Sequence, residues 1–165
     1  MARSIQEAGL YVELHPCECG AGGELTMSLA EQDGQQVAIY EGDCPECGRA
    51  RRFEFALPAE PTTGPAYGGS EPSTIIDAGE FLWYSDRVTE AAAEGAGAQA
   101  RSAVDTAIAA LDEVLKFIPD GADAVPREAL TSELGKAVYD AGPDRFARAE
   151  LAYRRGLLAE ARELT

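Results

Sequence analysis

The chain has 165 residues, of which 45% are hydrophobic, and its 29 acidic and 14 basic residues give a net charge of −15. This length and apolar content suit one domain or two small modules and exclude a disordered chain. The acidic excess counts against nucleic-acid binding, which rests on lysine and arginine contacts to phosphates. It favours a basic protein partner, or serves solubility alone.

No segment reaches the roughly 18 consecutive apolar residues that a membrane-spanning helix needs. The first residues, "MARSIQEAGLYVELHP", also lack the apolar stretch of a secretory signal. The sequence therefore predicts a cytoplasmic protein with no membrane partner. Thiols stay reduced in that compartment, so close cysteine pairs indicate a metal site or catalysis rather than disulfides.

The N-terminal part, residues 1–57, reads as a small β module. Four segments carry the alternation or the residue types of strands: 10–14, 24–30, 36–42 and 51–57. The dipeptide Asp33–Gly34 between the second and third segments is typical of a hairpin turn. A sheet this small is expected to need a staple such as a bound metal.

A proline- and glycine-rich connector is predicted over residues 58–73, and a helical module over 74–165. Asp77 and Glu80 form a capping-box pattern that opens a first helix. Three more helices are predicted: one ending before Pro119, one opening near Pro126 and one after the break at 141–143. In the last helix the expected inward positions are Phe146, Ala149, Tyr153 and Leu157. Loops this short predict an antiparallel four-helix bundle.

All four cysteines lie in two close pairs, Cys17/Cys19 and Cys44/Cys47, and each pair is followed by a glycine. The segment "CPECG" (44–48) resembles the knuckle of zinc-ribbon and rubredoxin-like proteins, in which a turn points two thiolates at one ion. The resemblance covers residues 10–57, and the helical remainder resembles no family that we recognise. It implies a zinc ribbon with a structural Zn²⁺ held by all four thiolates and no open coordination position.

Other interpretations of the cysteines fit less well. The first pair is one residue shorter than the usual Cys-x-x-Cys knuckle, which leaves His15 as an alternative ligand. A redox pair at Cys44 and Cys47 would have to open a helix, but the residues that follow read as a strand. The spacings match none of the usual iron–sulfur patterns, and disulfides would need an oxidising compartment.

Little else in the sequence indicates catalysis. The single histidine excludes histidine-based triads and the helical zinc-protease motif. The sequence contains neither a nucleophile elbow nor a phosphate-binding loop. An enzyme would have to rely on carboxylate acid–base chemistry that a sequence cannot pair. We therefore predict a non-enzymatic protein.

Two features mark candidate contact surfaces. The segment "EFLWY" (80–84) holds more neighbouring aromatic residues than one core face can bury, so part of it is expected at a seam or an interface. The alternative is that Trp83 packs the two modules together. Acidic residues on the second helix would meet a basic partner. The candidate interface residues are Phe81, Trp83, Tyr84, Asp105, Asp112 and Glu113.

The sequence thus predicts an α+β protein with an N-terminal zinc-ribbon β module followed by a small antiparallel four-helix bundle. We expect a non-catalytic zinc protein that acts through protein–protein binding, such as an acidic bacterial immunity protein or a regulatory adaptor. One alternative is a transcription-associated zinc ribbon that contacts nucleic acid through Arg49, Arg51 and Arg52. The other is an enzyme with unrecognised carboxylate chemistry.

Overall fold

The computed structural model describes residues 1–59 and 67–164. The chain divides into two compact units, Met1–Gly69 and Ser70–Thr165. Residues 60–66, the middle of the predicted connector, lie outside the described residues. No helix within the described ranges combines the length and the apolar character that crossing a membrane would require.

The first unit contains a three-stranded antiparallel sheet in the order β1-β2-β3. The strands are β1 (Thr26–Gln32), β2 (Gln35–Asp43) and β3 (Ala50–Ala56). The predicted hairpin turn is confirmed, because Asp33 and Gly34 both have positive φ angles, 52° and 76°. Positive φ at both central residues is the requirement of a type I′ turn.

The strand expected at residues 10–14 is wrong, because this segment belongs to helix α1 (Ile5–Leu14). The Ser4 side chain caps the helix by accepting the backbone N–H of Glu7 at 3.0 Å. The Tyr11 ring lies edge-on to the Phe55 ring of β3, with 5.4 Å between centroids, so α1 packs against the sheet. The sequence does contain a helix-capping signal here, Ser-x-x-Glu at residues 4–7. The strand prediction relied instead on the short alternation of apolar residues.

The second unit contains the other four α-helices of the described chain: α2 (Ala78–Glu94), α3 (Gly97–Lys116), α4 (Glu133–Ala141) and α5 (Arg148–Leu164). Single 3₁₀ turns occupy Arg127–Ala129 and Pro143–Phe146. The capping box predicted at the start of α2 is confirmed.

The predicted four-helix bundle is wrong. The described residues form an α+β protein with a three-stranded antiparallel sheet and five α-helices, one of them in the first unit. In the second unit, α2 and α5 both pack on α3, and α4 packs on α2. At nine residues, α4 is only about 14 Å long, half the length of α2. The segment predicted as one helix from Pro126 contains a 3₁₀ turn at Arg127–Ala129, and α4 begins only at Glu133, so α4 is too short to run along the whole of α2.

The crossing of α2 and α4 is built on two glycines and one buried carboxylate. A Cβ atom on Gly79 would lie 2.4 Å from the Gly135 Cα, so the two backbones meet directly. The Asp77 side chain accepts the N–H groups of Gly79 and Glu80 in α2, at 2.9 Å each. Its second oxygen accepts the N–H groups of Thr131 and Ser132, at 2.8 and 2.7 Å. One carboxylate therefore caps α2 and fixes the entry to α4.

Candidate metal centre

The four cysteines of the first unit converge on one point. Their sulfur atoms all lie within 4.8 Å of one another. The Cys17 and Cys47 sulfurs are 3.5 Å apart, as are those of Cys19 and Cys44. Each of these distances joins the two sequence pairs, so the tertiary fold brings all four together.

Two tight turns aim the thiols. In the first, the Gly20 N–H donates to the Cys17 carbonyl at 2.7 Å, and in the second the Gly48 N–H donates to the Cys44 carbonyl at 2.9 Å. Both glycines have positive φ, 85° and 69°, a backbone conformation that residues with a Cβ rarely adopt. The shorter Cys-x-Cys spacing therefore still closes a knuckle, with its glycine one residue earlier than in the second pair.

The knuckles are held by contacts within the unit. The Arg51 guanidinium of β3 donates to the His15 carbonyl, just before the first knuckle. Glu18 and Arg49, one beside each knuckle, form an ion pair. A Cβ on Gly23 would lie 2.9 Å from the Pro45 Cδ, so a glycine allows the first loop to approach the second knuckle.

The pKa values of Cys44 and Cys47 are shifted in opposite directions. Hydrogen bonds from the backbone N–H groups of Cys47 and Glu46 lower the pKa of Cys44 to about 6. The Arg49 N–H lowers the pKa of Cys47, but the neighbouring thiols of Cys17, Cys19 and Cys44 outweigh it and raise that pKa to about 11. The backbone thus stabilises the Cys44 thiolate, whereas the neighbouring sulfurs oppose ionisation of Cys47 unless a positive charge compensates them.

His15 has a different environment from the four thiols. Its Nδ1 lies 2.7 Å from the Tyr11 carbonyl, and its ring stacks on the Tyr11 ring at 3.8 Å. Because a carbonyl oxygen can only accept, Nδ1 carries the proton in this contact. Within the described residues, the group of side chains close enough to share a metal ion contains the four cysteines and not His15.

Four sulfurs in this arrangement could hold one metal ion such as zinc. Zn–S bonds of 2.3 Å place the sulfurs of a tetrahedral site about 3.8 Å apart, within the range found here. Cys17 and Cys44 are buried, whereas Cys19 and Cys47 are exposed. The site therefore lies at the surface of the unit, with two of its four ligands reachable from solvent.

The predicted interface residues have varied environments in the second unit. Phe81 is fully buried, whereas Trp83 is half-buried and its ring lies 5.2 Å from the Arg87 guanidinium. Tyr84 is also half-buried. Among the acids, Glu113 is buried and contacts Lys116 at 2.6 Å.

The other two acids pair with helix α5. Asp112 binds Arg155 at 2.5 Å, and Asp105 pairs with Arg162. Arg155 and Arg162 of α5 thus neutralise two acids on α3. The structure does not gather the six predicted interface residues into one exposed patch.

Helix α5 presents a largely exposed stripe that the sequence patterns did not predict. Its five residues are spaced 3-4-3-4 along the helix and are Glu150, Tyr153, Leu157, Glu160 and Leu164. Glu150 is half-buried and the other four are exposed. Tyr153 is 63% exposed and Leu157 48%, although both were expected to face inward. The inward side is marked instead by the fully buried Leu151. The heptad spacing was visible in the sequence, but periodicity alone does not tell an inner stripe from an outer one.

No protein-family model, curated protein or solved structure significantly matches this chain. The zinc-ribbon resemblance therefore rests on the knuckle residues alone.

Proposed function

We propose that this chain is a non-catalytic zinc-binding protein that acts by binding another protein. The observation that carries the proposal is the convergence of four thiols, drawn from two knuckles, within 4.8 Å. Zinc suits an all-sulfur tetrahedral set. Four protein ligands leave no coordination position for a substrate or a reactive water, so the metal stabilises the fold.

Purified protein should carry about one zinc ion per chain, bound as Zn(Cys)₄. Zinc would be measured by elemental analysis, and its ligands by the sulfur signature in X-ray absorption spectra. Cobalt exchanged into the site should give the intense visible bands of tetrahedral thiolate coordination. Protein that holds iron, or that contains disulfides and no metal when purified under reducing conditions, would contradict the proposal.

The partner surface that we propose is the exposed α5 stripe. Its apolar members, Tyr153, Leu157 and Leu164, are exposed to solvent by about half or more. Glu150 and Glu160 lie on the same face, and neither has a basic partner within 4.0 Å among the described residues. This combination complements an amphipathic helix that has apolar anchors flanked by lysine or arginine. A second copy of the chain would carry the same net charge of −15 and would be repelled rather than attracted.

The charge distribution supports a protein partner over nucleic acid. Arg49 pairs with Glu18, and Arg52 pairs with Glu41 and Glu54. These carboxylates neutralise arginines that a nucleic-acid ribbon would need for phosphate contacts. With a net charge of −15, the protein suits rapid capture of a basic partner, as an immunity protein or a regulatory adaptor would require.

A helical peptide of about three heptads, with leucine at a and d and lysine at e and g, should bind to the α5 stripe. Its association rate, measured by stopped-flow fluorescence, should fall about tenfold between low salt and about 0.15 M salt. Leu157→Ala should weaken binding about tenfold or more. The matched control is Leu29→Ala on β1, since Leu29 and Leu157 are 49% and 48% exposed.

Three results would contradict this assignment. The first is equal binding of a peptide with glutamate at e and g, and the second is an equal effect of Leu29→Ala and Leu157→Ala. The third is a concentration-dependent dimer that Leu157→Ala abolishes. That result would mean that the stripe binds a second copy of the chain.

A further inference from the structure

The first unit contains a cavity of about 230 Å³ between α1, the loop after the first knuckle and the sheet. Its lining is mostly apolar, with Val12, Pro16 and Leu25 on its walls and the Tyr40 ring beside them. Gly9 of α1 and Gly22 and Gly23 of the loop leave room in the lining. The Arg51 side chain also faces this space.

Arg51 is the unusual member of this lining. It is only 9% exposed, although buried arginines are ordinarily paired with a carboxylate. Within the described residues its side chain makes one hydrogen bond, to the His15 carbonyl, and no carboxylate there lies within 4.0 Å of its guanidinium. Its guanidinium lies 5.4 Å from the Phe53 ring centroid. A guanidinium has five N–H donors, so it retains capacity for an anion that the described residues do not supply.

We propose that this cavity binds a monocarboxylate with a short apolar tail. The carboxylate would pair with Arg51, which suits planar carboxylates, and the tail would contact Val12, Pro16 and Leu25. The exposed Glu13 also lines the cavity. Its negative charge disfavours a dianion such as phosphate more than a monocarboxylate, because Arg51 supplies only one positive charge to the lining. This site does not depend on the proposed partner surface.

Two sources share this chemistry: a free branched-chain carboxylic acid and the C-terminal carboxylate of a peptide. Zinc-loaded, full-length protein would be titrated with 4-methylpentanoate and separately with the tripeptide Gly-Gly-Leu, and amide shifts would be followed by NMR. Both ligands would be compared with their carboxamides, which lack the carboxylate, and with inorganic phosphate. Saturable shifts at Gly22, Gly23 and Tyr40 are expected for the carboxylates alone. Tighter binding of the acid or of the tripeptide would identify the source.

Arg51→Gln should lower carboxylate affinity about tenfold or more while zinc content stays at one ion per chain. Because that variant also loses the bond to the His15 carbonyl, Glu13→Gln provides an independent test at an exposed position. It should raise carboxylate affinity about two- to fivefold, and the carboxamide should still give no saturable shifts. The proposal is overturned by absent shifts, by equal binding of acid and amide, or by unchanged affinity in both variants.

Discussion

Replacing Cys44 with serine should empty the metal site and unfold the knuckle region of the first unit. A structural zinc site contributes roughly 10–16 kcal/mol of binding free energy, so losing one of four ligands should cost about 3 kcal/mol or more. That is a large part of the stability of a small domain. Zinc content measured by elemental analysis should fall well below one ion per chain, and the thermal unfolding midpoint should drop with it.

The matched control for this substitution is Glu18→Gln. Glu18 lies between two of the ligands but is exposed, and its only described ion pair is with Arg49. Exposed pairs contribute about 0–1 kcal/mol, so this variant should keep its zinc and nearly all its stability. If Cys44→Ser retained a full complement of zinc and its unfolding midpoint, four-thiolate coordination would be wrong.

Replacing Gly135 with alanine should strongly destabilise the second unit. The added Cβ would lie 2.2 Å from an oxygen of the Asp77 side chain. The carboxylate would have to move, and its hydrogen bonds to Gly79, Glu80, Thr131 and Ser132 would weaken together. Overpacking costs about 1–3 kcal/mol and a lost cap about 0.5–2 kcal/mol, so we expect a loss of about 3 kcal/mol. Urea unfolding followed by circular dichroism would measure it.

A glycine-to-alanine substitution in α5 should instead increase the free energy of unfolding. A Cβ on Gly156 would meet nothing within 4 Å, and Gly156 lies inside a helix. Gly156→Ala should therefore stabilise the chain by about 0.5–1 kcal/mol, because alanine has less conformational freedom to lose than glycine. If the two glycine variants shifted the urea midpoint alike, the close approach at Gly135 would not be limiting the packing of α4.

Local patterns in the sequence predicted several elements correctly. Asp33–Gly34 required positive φ at two adjacent residues, and Asp77 with Glu80 marked the first turn of α2, because turns and caps depend on a few neighbouring residues. The pairing of cysteines with glycines indicated the two knuckles for the same reason. The spacing within the first cysteine pair is one residue shorter than in the second, but both form a knuckle, since a glycine with positive φ directly follows the second cysteine of each pair.

The tertiary structure decided which faces are inside and which helices meet. The alternation at residues 10–14 is compatible with a strand, but this segment is helical because Ser4 caps the helix and Tyr11 packs on the sheet. Whether Tyr153 faces inward depends on Leu151 packing into the core and on Arg155 reaching Asp112, 43 residues away. Contacts over such separations follow from how all the elements pack together. Helical periodicity specifies a stripe of residues, whereas the surrounding elements determine whether that stripe is buried or exposed.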